Sequence, residues 1–169
     1  MSTAPPDQDA GPRPVGNREE LAGARLQLLA AARYKLSIYL PNLPADAYSN
    51  PAEVAELRRI ATSGRGAEIR VLLGDTADLL RDGHRLIDLA QRLPSALQIR
   101  MPADDQIENR ASSAWLLNDS YGYLFLPDAS RLEGRAALRD GPGQAPLLLQ
   151  FEQMWERATP ATHLQPLGL

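Results

Sequence analysis

Hydrophobic and polar positions alternate along this chain with two different periods. Leu21, Ala24, Leu28 and Ala31 or Ala32 recur at helical spacing in "NREELAGARLQLLAAARY", an amphipathic helix. Asn17 is its expected N-cap, and Glu20 three residues later completes a capping box. "KLSIYLP" follows, a short apolar run ended by Pro41, and reads as a strand. A second helix is expected over "PAEVAELRRIATSG", with Asn50 as cap, Pro51 at the first position and Glu53 in the box position; it stops at Gly64. "AEIRVLLGD" is a second strand whose β-branched and leucine content suits a buried parallel position.

"TADLLRDGHRLIDLAQRLP" predicts a short helical turn, a break at Gly83 and a helix to about Leu93. "SALQIRMP" is a third strand and "ADDQIENRAS" a polar loop. "SAWLLND" and "YGYLFLP" form two strands across a turn in which Gly122 can take positive φ without steric cost. "DASRLEGRAALRDGPG" is a loop with some helical character, and "QAPLLLQFEQMWERA" a final helix with Leu148, Phe151, Met154 and Trp155 on its apolar face. The alternation predicts an α/β fold: one domain over residues 16–158, with a mixed, mostly parallel sheet flanked by helices on both faces. Residues 1–15, rich in Pro, Gly and Asp, are expected to be disordered, and residues 159–169 to form a loose tail.

Composition narrows the function. A chain of 169 residues with 44% hydrophobic and 23% charged content is sized for a single core. The net charge of −3 argues against a general nucleic-acid or anionic-membrane binder. There is no cysteine, which excludes disulfides, thiolate catalysis and cysteine-held zinc, and only two histidines, too few for a multi-histidine metal site. No cofactor is implied. The N-terminal stretch has no apolar signal-peptide core, and no run of about 18 apolar residues occurs. A cytoplasmic protein is expected.

Four local texts carry a family resemblance. "LRRIATSGRGAEIRVLL", "ALQIRMP", "AWLLNDSYGYLF" and "LLLQFEQMWERA" are similar to the second helix and strand, the third strand, the active-site strand with its return, and the closing helix of phospholipase D-like domains. "DGHRLIDLAQRLPS", "YGYLF" and "FEQMWER" resemble an uncharacterised bacterial family within that superfamily, sometimes found beside GNAT-type acetyltransferases. The resemblance spans roughly residues 17 to 158 and implies a fold, with no established activity.

Active members of the superfamily carry His-x-Lys-x4-Asp, in which histidine attacks phosphorus and lysine neutralises phosphate charge. With Asp119 at the aspartate position, the spacing sets Ser112 at the histidine and Ala114 at the lysine. Neither can do that chemistry. Asp119 also suits a turn on its own account.

Arg131, Arg135 and Arg139 recur every four residues and would share a face if helical; an arginine cluster can hold phosphate or carboxylate. Arg135 is the leading anion contact, and Arg100 and Arg110 could join it. A solvated face balanced by Glu133 and Asp140 is the plainer reading. His84 is expected to start a helix or bond locally.

The candidate ligand-binding residues are therefore Arg110, Ser112, Asp119, Arg131 and Arg135. The expected function is a non-catalytic binding or regulatory module for a small phosphate-containing anion or a protein partner, such as an associated acetyltransferase. The alternatives are a diverged phosphodiesterase or transferase, and a structural homodimerisation domain.

Overall fold

The computed structural model describes residues 10–103 and 113–165. The chain runs β1 (Arg13–Val15), α1 (Arg18–Ala31), β2 (Lys35–Leu40), α2 (Pro51–Ala61), β3 (Glu68–Leu73), α3 (Leu79–Asp82), α4 (Arg85–Arg92) and β4 (Leu97–Met101). It continues with β5 (Ala114–Asn118), β6 (Tyr123–Leu126), β7 (Gly134–Ala137), α5 (Gly141–Arg157), β8 (Thr159–Pro160) and a 3₁₀ turn, Thr162–Leu164.

The helix starts follow the local chemistry of the sequence. Asn17 Oδ1 accepts from the Glu20 amide at 2.8 Å, and Asn50 Oδ1 from the Glu53 amide at 2.9 Å. Gly83, at φ 77°, ends α3. His84 then caps α4, its Nδ1 accepting from the Leu86 amide at 3.0 Å. Leu21, Ala24 and Leu28 of α1 are buried, as the helical spacing predicts, and so is Ala32 just past the helix; Leu29 joins them, while Ala31 is exposed.

The eight strands among the described residues form one sheet in the order β1-β7-β6-β5-β2-β3-β4-β8. It is mixed, and the expected mostly parallel sheet is corrected: only β2–β3 and β3–β4 pair in parallel, and the other five ladders are antiparallel. The physical reason is connection type. Helical crossovers return the chain in the same direction, and only β2, β3 and β4 are linked by them and also neighbours in the sheet. β5 enters against β2, and hairpin-like returns set β6 and β7 antiparallel in turn.

Three other differences bear on function. Gly134–Ala137 is a strand between β6 and β1, in the stretch read as a loop with helical character, so Arg131, Arg135 and Arg139 share no helix face. The pairing is non-local, and the leucine, alanine and arginine content of the segment conceals it. Arg13–Val15, within the stretch expected to lack order, pairs with β7. The left-handed position of the β5–β6 turn is Tyr121 (φ 67°), not Gly122.

Two cores lie on the two faces. α1, α2 and α4 cover one face, with Leu28, Leu57, Ile60 and Leu86 against Leu36, Ile38, Ile69 and Leu116. α5 covers the other, with Leu147, Phe151, Met154 and Trp155 against Tyr39, Leu72, Trp115 and Tyr123.

Candidate functional site

The parallel strands define two ends of the sheet. At the end where β2, β3 and β4 finish, β5 begins with Ala114 and β6 finishes with Leu126. Ala114, Leu116, Leu124 and Leu126 face α1 and line a cavity of about 470 Å³ together with Leu21 and Tyr48. Its volume is that of a small-molecule pocket. The residue that the sequence frame sets at the lysine position thus turns a methyl group into an apolar cavity.

The wall of this cavity contains a buried ion pair. Glu53 is 1% exposed and accepts from Arg25, from the Tyr48 amide at 3.1 Å and from the Asn50 side chain. Arg25 Nη2 reaches the second Glu53 oxygen at 3.2 Å, and its guanidinium lies 5.4 Å from the Tyr48 ring centroid. Burial pushes the Tyr48 hydroxyl well above its ordinary pKa, so it stays protonated. Both charges are consumed within the pair, and this cluster holds the loop that follows β2. At the rim, Arg18 and Asp46 pair at 3.6 Å, both largely exposed.

On the opposite face the same end of the sheet carries a cross-strand row. Tyr39, Trp115, Phe125 and Arg135 are successive direct partners on β2, β5, β6 and β7. The Tyr39 and Trp115 rings are 5.2 Å apart, and the Trp115 and Phe125 rings 6.2 Å. Arg135 ends the row with its guanidinium 4.8 Å from the Phe125 centroid. Gly134 makes this approach possible: a Cβ there would lie 2.2 Å from the Phe125 carbonyl oxygen.

Arg131 and Arg135 come together here. With Phe125, Asp128 and Glu133 they border an open pocket of about 440 Å³. Both arginines are exposed, and neither is in an ion pair among the described residues. Asp128 turns inward on its own loop, accepting from the Ser130 hydroxyl at 2.7 Å and the Ser130 amide at 3.0 Å. These bonds, helped by Arg131, hold its carboxyl below the ordinary range. The lining thus carries two guanidinium groups, which can hold an anion, and two carboxylates, of which Asp128 is tied to its own loop.

The remaining candidates lie elsewhere. Arg110 and Ser112 fall outside the described residues. Asp119 sits at the opposite end of the sheet, where Oδ1 accepts from the Arg33 amide at 2.8 Å and Oδ2 from the Tyr34 and Lys35 amides at 3.0 and 3.3 Å. It fastens the turn between α1 and β2. Arg100 does not join the pocket: on β4, it donates to the Trp155 carbonyl at 2.8 Å and lies 4.2 Å from that ring. Phe125 borders the pocket as well, and its pairing with Arg135 is visible only with β7 in place. No group of three or more His, Asp or Glu able to hold a metal occurs among the described residues. Among them no helix is long and apolar enough to cross a membrane.

Comparisons with known proteins define the class of fold. The phospholipase D family member Nuc from Salmonella typhimurium superposes with a TM-score of 0.58 at 10% identity, covering 89% of this chain and 98% of that one. NucT from Helicobacter pylori gives 0.60 at 11% identity, with the same two coverages. TrmBL2, an archaeal chromatin protein with a novel mode of DNA binding, gives 0.60 at 18% identity; 88% of this chain spans 53% of its length. The fold is phospholipase D-like. The profile of one family, Domain of unknown function (DUF7931), matches residues 17–167, and the chain belongs to that family. A search of curated proteins finds no match.

One expectation is corrected by these comparisons. The acidic balance argued against a general nucleic-acid binder, yet TrmBL2, which shares this fold, is a DNA-binding chromatin protein. Net charge is a whole-chain sum, whereas binding depends on where the cations stand.

Proposed function

We propose that this is a non-catalytic phospholipase D-like domain that binds a phosphate-containing ligand at the pocket bordered by Arg131 and Arg135. The observation that carries the reading is the position of Arg135. Its guanidinium rests on Phe125, its cross-strand partner, beside an open pocket that it shares with Arg131. Stacking on a ring fixes the plane of a guanidinium without using its hydrogen-bond donors. One donor is engaged by the Tyr123 hydroxyl, and the others are open to phosphate oxygens.

The non-catalytic part rests on the residues at the motif positions. Ser112 and Ala114 replace the nucleophile and the charge-stabilising lysine in the frame set by Asp119, and Ala114 faces an apolar cavity. A phosphoryl transfer without its nucleophile and its cation loses most of its acceleration. The DNA ligand of TrmBL2 is itself a phosphodiester, in keeping with a phosphate ligand on this fold.

A thermal-shift series tests the reading with inorganic phosphate, mononucleotides and glycerophosphate headgroups, alongside an assay of phosphodiester hydrolysis. A ligand at 100 times its Kd adds about 2.7 kcal/mol of stability. In a domain of this size that raises Tm by roughly 5–10 °C. The expected result is a shift with a phosphate-bearing compound, absent in Arg135→Ala, and no hydrolysis above background. Hydrolysis by the wild type that Arg135→Ala abolishes would replace this reading with an enzymatic one.

A further inference from the structure

We propose that the opposite end of the sheet is a second binding surface, independent of the arginine pocket, and that it takes single-stranded nucleic acid. Four separate pieces of chain meet there. The Asp119 carboxylate holds the amides of Arg33, Tyr34 and Lys35, and Ser120 Oγ donates to the Ala31 carbonyl at 2.8 Å. The Glu68 amide donates to the Tyr34 carbonyl at 2.8 Å, and a Cβ on Gly66 would stand 3.8 Å from the Tyr34 ring, which brings in the turn carrying Arg65. The Asp140 amide donates to the Tyr121 carbonyl at 2.9 Å, which brings in Arg139. Arg33, Tyr34, Lys35, Arg65, Tyr121 and Arg139 are all exposed.

The acids at this end are already engaged. Asp119 spends both oxygens on backbone amides. Glu68 and Glu152 pair with Arg70, and Asp140 accepts from the Gly143 amide and the Tyr123 hydroxyl. The four cations are in no ion pair among the described residues, although Lys35 lies near enough to draw on Glu152. With Arg70, five cations stand here against four carboxylates, so an acidic chain presents a slightly basic end whose four unpaired cations are exposed.

The aromatic side chains make the ligand specific. Tyr34 is 46% and Tyr121 54% exposed, and each has a cation beside its ring: Lys35 at 5.8 Å and Arg139 at 5.9 Å. Tyr121 stands at φ 67°, a left-handed backbone that a bulky side chain rarely adopts. Asn118 holds the turn there, its Oδ1 accepting from the Ser120 and Gly122 amides. The strained residue packs its ring into no core, so the strain serves an exposed ring. Cations meet phosphates and tyrosine faces meet bases. Bases in a duplex are stacked on one another and offer no face, which selects the single strand.

The test is fluorescence anisotropy of the full chain with a labelled oligothymidylate of about 12 nucleotides, within the usual site sizes. Unlabelled duplex and heparin are the competitors. Saturable binding is expected at 50 mM salt, weakening about 50-fold by 200 mM as roughly four phosphates are neutralised. Tyr34→Ala and Tyr121→Ala should each weaken it about tenfold, by loss of one stacked base. Arg33→Glu with Arg139→Glu should remove it, while Arg92→Glu, the same charge change on α4, leaves it in place. Tyr121→Gly separates function from folding: it relieves the backbone and should raise Tm while binding falls. Absence of saturable binding at 50 mM salt would overturn the proposal. So would binding that the tyrosine variants leave unchanged, or that heparin or duplex matches in affinity, since charge alone would then account for it.

Discussion

The guanidinium of Arg135 lies 4.8 Å from the centroid of Phe125, the residue directly opposite it on the neighbouring strand. An arginine–ring contact at a partly exposed site contributes about 0.5–1 kcal/mol. Phe125→Leu keeps the apolar volume and removes the ring. The expected outcome is a small loss of stability, about 1 kcal/mol or less, with a much larger loss of phosphate affinity, because Arg135 is no longer held in one plane. Urea denaturation and ligand titration on the same variant separate the two effects.

Asp119 closes the turn between α1 and β2 across more than eighty residues of sequence. Its carboxylate is acceptor-only and charge-assisted, a stronger bond than a neutral pair. Asp119→Ala leaves the amides of residues 33–35 without that acceptor and should cost about 1–3 kcal/mol. Asp119→Asn keeps one acceptor oxygen and should cost less. Equilibrium urea unfolding of both variants checks the order.

The Arg25–Glu53 pair sits beside the apolar cavity, with side-chain exposures of 12% and 1%. Glu53→Ala strands a guanidinium in a poorly solvated place and removes the acceptor of the Asn50 side chain and the Tyr48 amide. Breaking one side of such a pair costs about 3–5 kcal/mol. Arg25→Met with Glu53→Met should recover much of that loss, since no charge is then left unpaired. Thermal unfolding of the three proteins measures it.

Glu152 lies on α5 and makes a two-pronged contact with Arg70, whose hydrogen bonds hold its carboxyl below the ordinary value of 4.5. A carboxyl depressed in the folded state adds stability that is full above its unfolded pKa and fades as pH falls through the folded one. The wild type should therefore exceed Glu152→Gln in Tm at neutral pH, and the gap should close progressively below about pH 4.5. A gap that stays constant down to pH 2–3 would show that the bond persists without the charge. Glu152 is nearly half exposed, so the gap is modest.

Local chemistry was legible in the sequence, and pairing was not. Asn17 with Glu20, Asn50 with Glu53, and the break at Gly83 are short-range signals, and each stands where its text places it. β7 has four residues, "GRAA", with nothing strand-like in them; it is a strand because β6 and β1 lie on either side. That one element decides the site. It turns a supposed helical row of arginines into an arginine at 135 facing Phe125, with Arg131 on the loop before it. The direction of β5 is likewise set by its partner β2, so the balance of parallel and antiparallel ladders could not be read from alternation alone. Tyr121 and Arg139 meet for the same reason: eighteen residues apart in sequence, they flank one end of the β6–β7 pair.

Isothermal titration of a phosphate-bearing ligand into wild type, Arg131→Ala, Arg135→Ala and the double variant tests the central claim most directly. The account predicts one site per chain, weakened by each single substitution. It predicts that the two losses do not simply add, because both guanidinium groups hold one anion. Undiminished affinity in the double variant would contradict it and remove the pocket beside Phe125 as the place where this fold meets its ligand.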